Sequence, residues 1–158
     1  MAHAATTRRP LVGLAVFAAA VAATAVIGSL SAISASAEYE QLRTPSWAPP
    51  SWLFGPVWTA LYVMIALSGW LFWKRCGVTR ELGLFAVQLV LNAAWTPLFF
   101  AANRYGLALV DIIALAVAVA ALIVVFGRKH RVAALLLVPY LAWVGFATAL
   151  NASIVALN

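Results

Sequence analysis

Hydrophobic positions along the chain fall into five long runs separated by short polar breaks. The runs cover about residues 11–33, 54–73, 82–102, 105–126 and 132–157. An apolar helix of roughly 20 residues crosses the roughly 30 Å of a bilayer's hydrocarbon, and each run is at least that long. Inside lipid every backbone polar group must be satisfied within its own segment, which helices do. The pattern therefore predicts an all-α integral membrane protein, a five-transmembrane-helix bundle, as one domain over 1–158.

The first run, Leu11–Ile33, follows a short leader with Arg8 and Arg9 and precedes Ser34–Ala37 (SASA). Basic residues, an apolar run and an Ala-Ser-Ala ending resemble a cleavable signal peptide. A signal core is roughly 7–15 residues, and this run is much longer, so a retained helix is expected. Glu38–Ser51 reads as a loop. Within and after it lies the most unusual stretch of the chain, Thr44–Tyr62 (TPSWAPPSWLFGPVWTALY), with Trp47, Trp52, Trp58 and four prolines. Prolines fix φ and remove donors, so its first half is stiff and not ordinary helix, while Pro56 suits a helix's first turn. Two readings fit the crowding of rings. One is a lid over a pocket for a flat apolar ligand; the other is an interfacial belt of tryptophans. For Trp70 and Trp73, which precede Lys74 and Arg75 at the end of the second span, the belt is the simpler reading.

Composition strengthens the membrane assignment. Hydrophobic residues make up 66% of the chain and charged residues 9%, against roughly 45–50% and 25% in soluble domains. The net charge of +6 sits in short clusters between apolar runs, which is a topology signal and not a nucleic-acid surface. Eight of the ten basic residues (Arg8, Arg9, Lys74, Arg75, Arg80, Arg128, Lys129, Arg131) lie on one side of a five-span arrangement, and only Arg43 and Arg104 on the other. The expected topology is a multi-pass protein of the cell membrane with a cytoplasmic N-terminus and an external C-terminus. A single cysteine, Cys76, excludes an internal disulfide and a cysteine-cluster metal site.

Polar groups in hydrocarbon are costly, so each asks for a reason. Gln88, Asn92 and Trp95 fall at i, i+4 and i+7 on one face of the third helix. Trp58 and Tyr62 are four apart on the second; Trp143, Ala147 and Asn151 repeat at fours on the fifth. Pro139 is expected to free the Leu135 carbonyl for an asparagine or glutamine. Asp111 lies about two turns into the fourth helix. Interhelical hydrogen bonding accounts for Gln88 and Asp111. Flat rings combined with amides favour a pocket at Trp58, Asn92, Trp95 and Trp143. The alanine ladders (Ala15, Ala19, Ala23; Ala114, Ala118; Ala116, Ala120) read as close helix packing.

The segments SWAPPSW (Ser46–Trp52), FGPVWTALY, LNAAWTPLFF (Leu91–Phe100) and VPYLAWVGFATALN (Val138–Asn151) resemble the TspO/MBR family of tryptophan-rich sensory and translocator proteins. The resemblance covers all five spans. It implies a five-helix bundle, pairing as a homodimer, binding of porphyrins and related tetrapyrroles, and in some bacterial members light-dependent breakdown of protoporphyrin. It carries a pocket onto Tyr39, Trp58, Asn92, Trp95, Trp143 and Ala147. Adding the neighbours argued from position, the candidate ligand-binding set is Tyr39, Arg43, Trp47, Trp58, Tyr62, Gln88, Asn92, Trp95, Asp111, Trp143 and Ala147. The chain departs from the family in having Glu38 where a tryptophan is common. The sterol-recognition pattern of animal members is also absent, because nothing basic follows Tyr140.

A porphyrin is an apolar disc with carboxylates at one edge. Indole and phenol rings can pack on it, and Arg43, or Arg104, is on the side expected to meet the carboxylates. His3 and His130 fall on the opposite side, so free-base porphyrin is expected to bind at least as well as haem. No cofactor is required, no metal site is expected, and porphyrin or haem enters as ligand. No catalytic constellation is present; if porphyrin photobreakdown occurs, Trp58 and Trp143 are the oxidisable rings. The main expectation is a receptor or sensor for tetrapyrroles. The alternative is a transporter or binding protein for sterols or other lipophilic molecules.

Overall fold

The computed structural model describes residues 10–33 and 36–158. The leader with His3, Arg8 and Arg9, and Ser34–Ala35 of the signal-like ending, lie outside the described residues. The expected architecture holds: among the described residues, five helical segments are long and apolar enough to cross a membrane.

The first span is α1, Pro10–Ile33. The segment expected as loop carries a short helix, α2, Ser36–Gln41. The proline-rich stretch then runs through two turns, Ala48 N–H donating to the Pro45 carbonyl at 2.9 Å and Leu53 N–H to Pro50 at 3.0 Å. The Asn158 side chain brackets the Arg43 backbone, accepting from its N–H and donating to its carbonyl, both at 3.0 Å. This ties the loop to the chain's last helix. A 3₁₀ turn, Ser51–Leu53, leads into α3, Phe54–Cys76.

The third span is α4, Arg80–Thr96, followed by a π-helical turn, Pro97–Ala101, and not one continuous helix. Pro97 has no N–H for the i−4 carbonyl, so the turn widens and Ala102 N–H reaches Pro97 O at 2.9 Å. Asn103 reverses the chain at φ 51°, a conformation asparagine tolerates. The fourth span is α5, Tyr105–Gly127. The fifth is divided into α6, Arg131–Leu136, and α7, Val138–Leu157. Pro139 acts as expected in breaking the ladder. The carbonyl met by a side chain there is that of Ala133 and not Leu135: Leu137 N–H turns to Ala134 O at 3.0 Å, and Ser68 Oγ donates to Ala133 O at 2.7 Å.

The spans close into a ring. Helix α1 packs on α3 and α4, α5 packs on α4 and α7, and α6 packs on α3 and α5. Glycines set the approach of α1. A Cβ at Gly13 would overlap the Trp73 ring, and one at Gly69 would lie 2.7 Å from Phe17 and Phe85. Trp73 is thus a docking wedge and not simply an interfacial ring. Trp70 donates its indole N–H to Pro10 O at 2.8 Å, though the Lys74 ammonium also sits over its ring. The ladder Ala15, Ala19, Ala23 is exposed on the outer face of α1 and makes no packing seam among the described residues.

The end of the bundle carrying most of the basic residues is solid. Phe72 stacks on Phe126 at 3.8 Å and 5°, Phe85 lies parallel beyond it, and all three are buried. The opposite end, beneath the proline-rich loop, is less completely filled.

Candidate functional site

Three elements and the loop meet at that end around a cavity of about 250 Å³. Helix α1 contributes Ala25, Gly28, Ser29 and Ala32. Helix α3 and its leading turn contribute Ser51, Phe54, Gly55, Trp58, Thr59 and Tyr62. Helix α4 and its π turn contribute Trp95, Thr96 and Phe100, and Tyr39 closes the top. The α1 residues recur at i, i+3, i+4 and i+7, one helical face of small side chains. Their smallness is what leaves the space: a Cβ on Gly28 would stand 3.4 Å from Thr96 Oγ1 and 3.7 Å from the Tyr62 hydroxyl.

The walls are aromatic. Trp58 stacks on Tyr62 at 5.4 Å and 29°. Tyr39 meets Phe54 edge-on at 5.8 Å and Phe100 at 6.2 Å. Tyr39 is only 8% exposed, and its hydroxyl is buried without a partner among the described residues. Burial raises its pKa above the ordinary 10.0, because the charged form loses water. It stays a neutral phenol with a hydrogen bond to offer.

Behind the cavity wall runs a hydrogen-bonded chain. The Tyr62 hydroxyl donates to Asn92 Oδ1 at 3.1 Å. Asn92 Nδ2 donates to the Tyr140 hydroxyl at 2.7 Å, and Tyr140 donates to Gln88 Oε1 at 2.9 Å. Asn92, Tyr140 and Gln88 are all buried. A second link joins Trp95 Nε1 to Asn151 Oδ1 at 3.3 Å, and Asn151 Nδ2 to Tyr105 O at 3.0 Å. These bonds hold four spans in register where apolar side chains alone give no direction.

The structure therefore divides the candidate residues. Tyr39, Trp58, Tyr62 and Trp95 line the cavity. Asn92 stands directly behind Tyr62 and Gln88 two bonds further in, so both shape the wall without forming it. Trp143 and Ala147 lie on α7 outside the lining; Trp143 meets Phe54 edge-on at 5.9 Å and packs on Phe146 at 5.3 Å. Among the described residues its indole N–H is buried without a partner, as is Asp111 Oδ2. Trp47 packs on Phe146 at 5.6 Å, away from the cavity. Arg43 is exposed and likewise absent from the lining. The expected cation is thus not part of the lining, whose loop-side residue is Tyr39. The whole contribution of α1 escaped the sequence reading, although the small-residue face at 25, 28, 29 and 32 was visible in it.

Among the described residues no group of histidine, cysteine, aspartate or glutamate is arranged to hold a metal ion. His130 is at the far end of the bundle, capping α6 by accepting from Ala133 N–H at 3.2 Å. The chemistry on offer is apolar, planar contact with a few hydroxyls.

Comparison with known proteins agrees with the architecture. The model of the TspO/MBR family matches residues 15–157. The human translocator protein is 46% identical over 118 residues, which is 72% of this chain and 70% of that protein. A tryptophan-rich protein TspO from Chlorobaculum tepidum is 45% identical over 128 residues, 78% of this chain and 81% of its own. A tryptophan-rich sensory protein from Cereibacter sphaeroides is 36% identical over 142 residues, 90% and 89% of the two chains. With five apolar spans and a family match over nearly all of its length, this multi-pass membrane chain belongs to the TspO/MBR family.

Proposed function

We propose that the protein is a membrane receptor for tetrapyrroles, taking an edge of the flat ring system into the cavity between α1, α3 and α4. The observation that carries this reading is the cavity itself, with two rings (Trp58, Tyr62) stacked along one wall, small residues opposite, and a neutral phenol at the mouth. Its volume decides how a porphyrin would sit. Pockets that enclose a drug-sized ligand measure roughly 300–1,000 Å³, and about 250 Å³ is too little for a whole four-ring macrocycle. The disc enters by an edge, and the remainder lies against the lipid-facing side of α1. Aromatic contacts of this kind add about 0.5–1.5 kcal/mol each beyond burial.

The relatives' names, translocator and sensory protein, are compatible with either moving or reporting such a ligand. In this reading the basic end faces the cytoplasm of the cell membrane, the cavity opens toward the other leaflet, and the protein pairs as a homodimer. Tryptophan quenching in lipid nanodiscs tests the reading. Protoporphyrin IX is expected to quench saturably at one per chain and to bind at least as tightly as haem, since His130 lies at the opposite end. Unsaturable quenching equal to that of empty nanodiscs plus free tryptophan, or a haem spectrum of axial histidine, contradicts it. A sterol or other lipophilic ligand is the second reading, favoured by the same apolar walls and separated by competition against protoporphyrin.

A further inference from the structure

Given the flat-ligand reading above, the hydrogen bonds behind the cavity wall fix which role Tyr62 plays toward a ligand. The Tyr62 hydroxyl has one proton, and that proton is committed to Asn92 Oδ1. Asn92 is held in that orientation because its Nδ2 donates to Tyr140, whose own proton goes to Gln88 Oε1. Every member behind Tyr62 is nine-tenths buried or more, with Tyr140 and Gln88 at 0% and Asn92 at 3% exposure. In such a dry interior the chain is not exchanged for water. Toward the cavity Tyr62 therefore has only its oxygen lone pair to offer.

We infer that Asn92 is a positioning residue that fixes Tyr62 as a hydrogen-bond acceptor, and that among the flat ligands the cavity takes, those with an N–H on the rim gain a hydrogen bond that a closed macrocycle does not. The missing Cβ at Gly28 lets a ring edge approach that oxygen. A closed macrocycle turns its pyrrole N–H groups inward. A single pyrrole, an indole or an open-chain oligopyrrole presents them at the edge, where the Tyr62 oxygen is. If all four groups turned together, Gln88 Nε2, which has no partner among the described residues, would donate to Tyr140, and Tyr62 would become the donor. The two directions make opposite predictions.

Carbazole and dibenzofuran provide the test. They share a three-ring shape, but the first carries a rim N–H and the second an oxygen acceptor. Binding of each is measured by calorimetry in nanodiscs, with empty nanodiscs as the partition blank. Tyr62→Phe keeps the ring stacked on Trp58 and removes only the oxygen. It is expected to weaken carbazole about fivefold, the effect of one net hydrogen bond, and to leave dibenzofuran unchanged. Asn92→Leu frees the Tyr62 proton and is expected to raise dibenzofuran binding while carbazole holds, narrowing the ratio between them. A merely structural role for Asn92 would weaken both probes alike. The inference is overturned if Tyr62→Phe shifts both probes equally, or weakens dibenzofuran alone, which would report the reversed chain. The Tyr62→Phe arm stands without the Asn92 variant, should that fail to fold. Equal binding of both probes by the wild type defeats this inference and leaves the flat-ligand site standing. Failure of both probes to bind at all defeats that site as well.

Discussion

Gly28→Leu is the perturbation most specific to the cavity. Gly28 sits on the inner face of α1, and a Cβ there meets Thr96 Oγ1 at 3.4 Å and Tyr62 at 3.7 Å, ordinary contact distances. The helix itself tolerates the change, since glycine is about 1 kcal/mol less favourable than alanine in a helix interior. The side chain then has only the cavity to occupy. Its four heavy atoms, each taking roughly the 30 Å³ that a water takes in the liquid, would fill roughly 120 Å³. That is about half of the 250 Å³ available. Excluding four ligand atoms at roughly 0.3 kcal/mol each loses about 1.2 kcal/mol, close to the roughly 1.4 kcal/mol of a tenfold change. The expected result is a protoporphyrin affinity reduced about tenfold in nanodisc titrations, with thermal stability equal to or above wild type. Gly145→Leu on α7, where nothing lies within 4 Å of an added Cβ, is the control and should bind normally. A Gly28→Leu protein that is folded and binds with unchanged affinity would refute the location of the site.

Three further outcomes follow from the same geometry. Gly13→Leu drives a side chain into the Trp73 ring, so the docking of α1 should weaken by about 1–3 kcal/mol, read as a lower thermal midpoint in detergent. Tyr140→Phe strands Asn92 Nδ2 and Gln88 Oε1 in the bundle interior; a loss of about 1–3 kcal/mol is expected, measured by chemical unfolding in micelles. Tyr39 has its pKa raised by burial from 10.0, so the folded loop binds its proton more tightly than the unfolded chain does. That stabilisation is complete below pH 10 and is lost as pH rises through the folded value. Hydrogen exchange of residues 36–45 should show excess opening in that alkaline window, and Tyr39→Phe should remove the excess.

The five spans were legible because hydrophobic run length answers directly to bilayer thickness. The pairing of Asn92 with aromatic residues was legible too, since an amide in hydrocarbon demands partners. What the sequence did not disclose was which partners. Tyr140 appeared there only as part of a motif, yet it accepts from Asn92 and donates to Gln88. Large rings drew the reading toward Trp143 and Trp47, which pack on Phe146 outside the lining, Trp143 standing one ring behind Phe54. The missing wall is made of Ala25, Gly28, Ser29 and Ala32, residues that carry no chemistry and matter by the volume they leave. The exposed ladder at Ala15, Ala19 and Ala23 looked equally suited to packing. Only the rotation of α1, set by Trp73 against Gly13, decides which small face turns inward. Short breaks were harder still. The α2 helix, the π turn after Pro97 and the interruption at Leu137 depend on local backbone bonds that hydropathy averages away.

A structure of the protein with protoporphyrin IX bound tests the account most directly. The account places one edge of the macrocycle between Gly28 of α1 and the stacked Trp58 and Tyr62 of α3, beneath Tyr39. Density for the macrocycle on the α7 side around Trp143, or on an outer face with this cavity still empty, would contradict it.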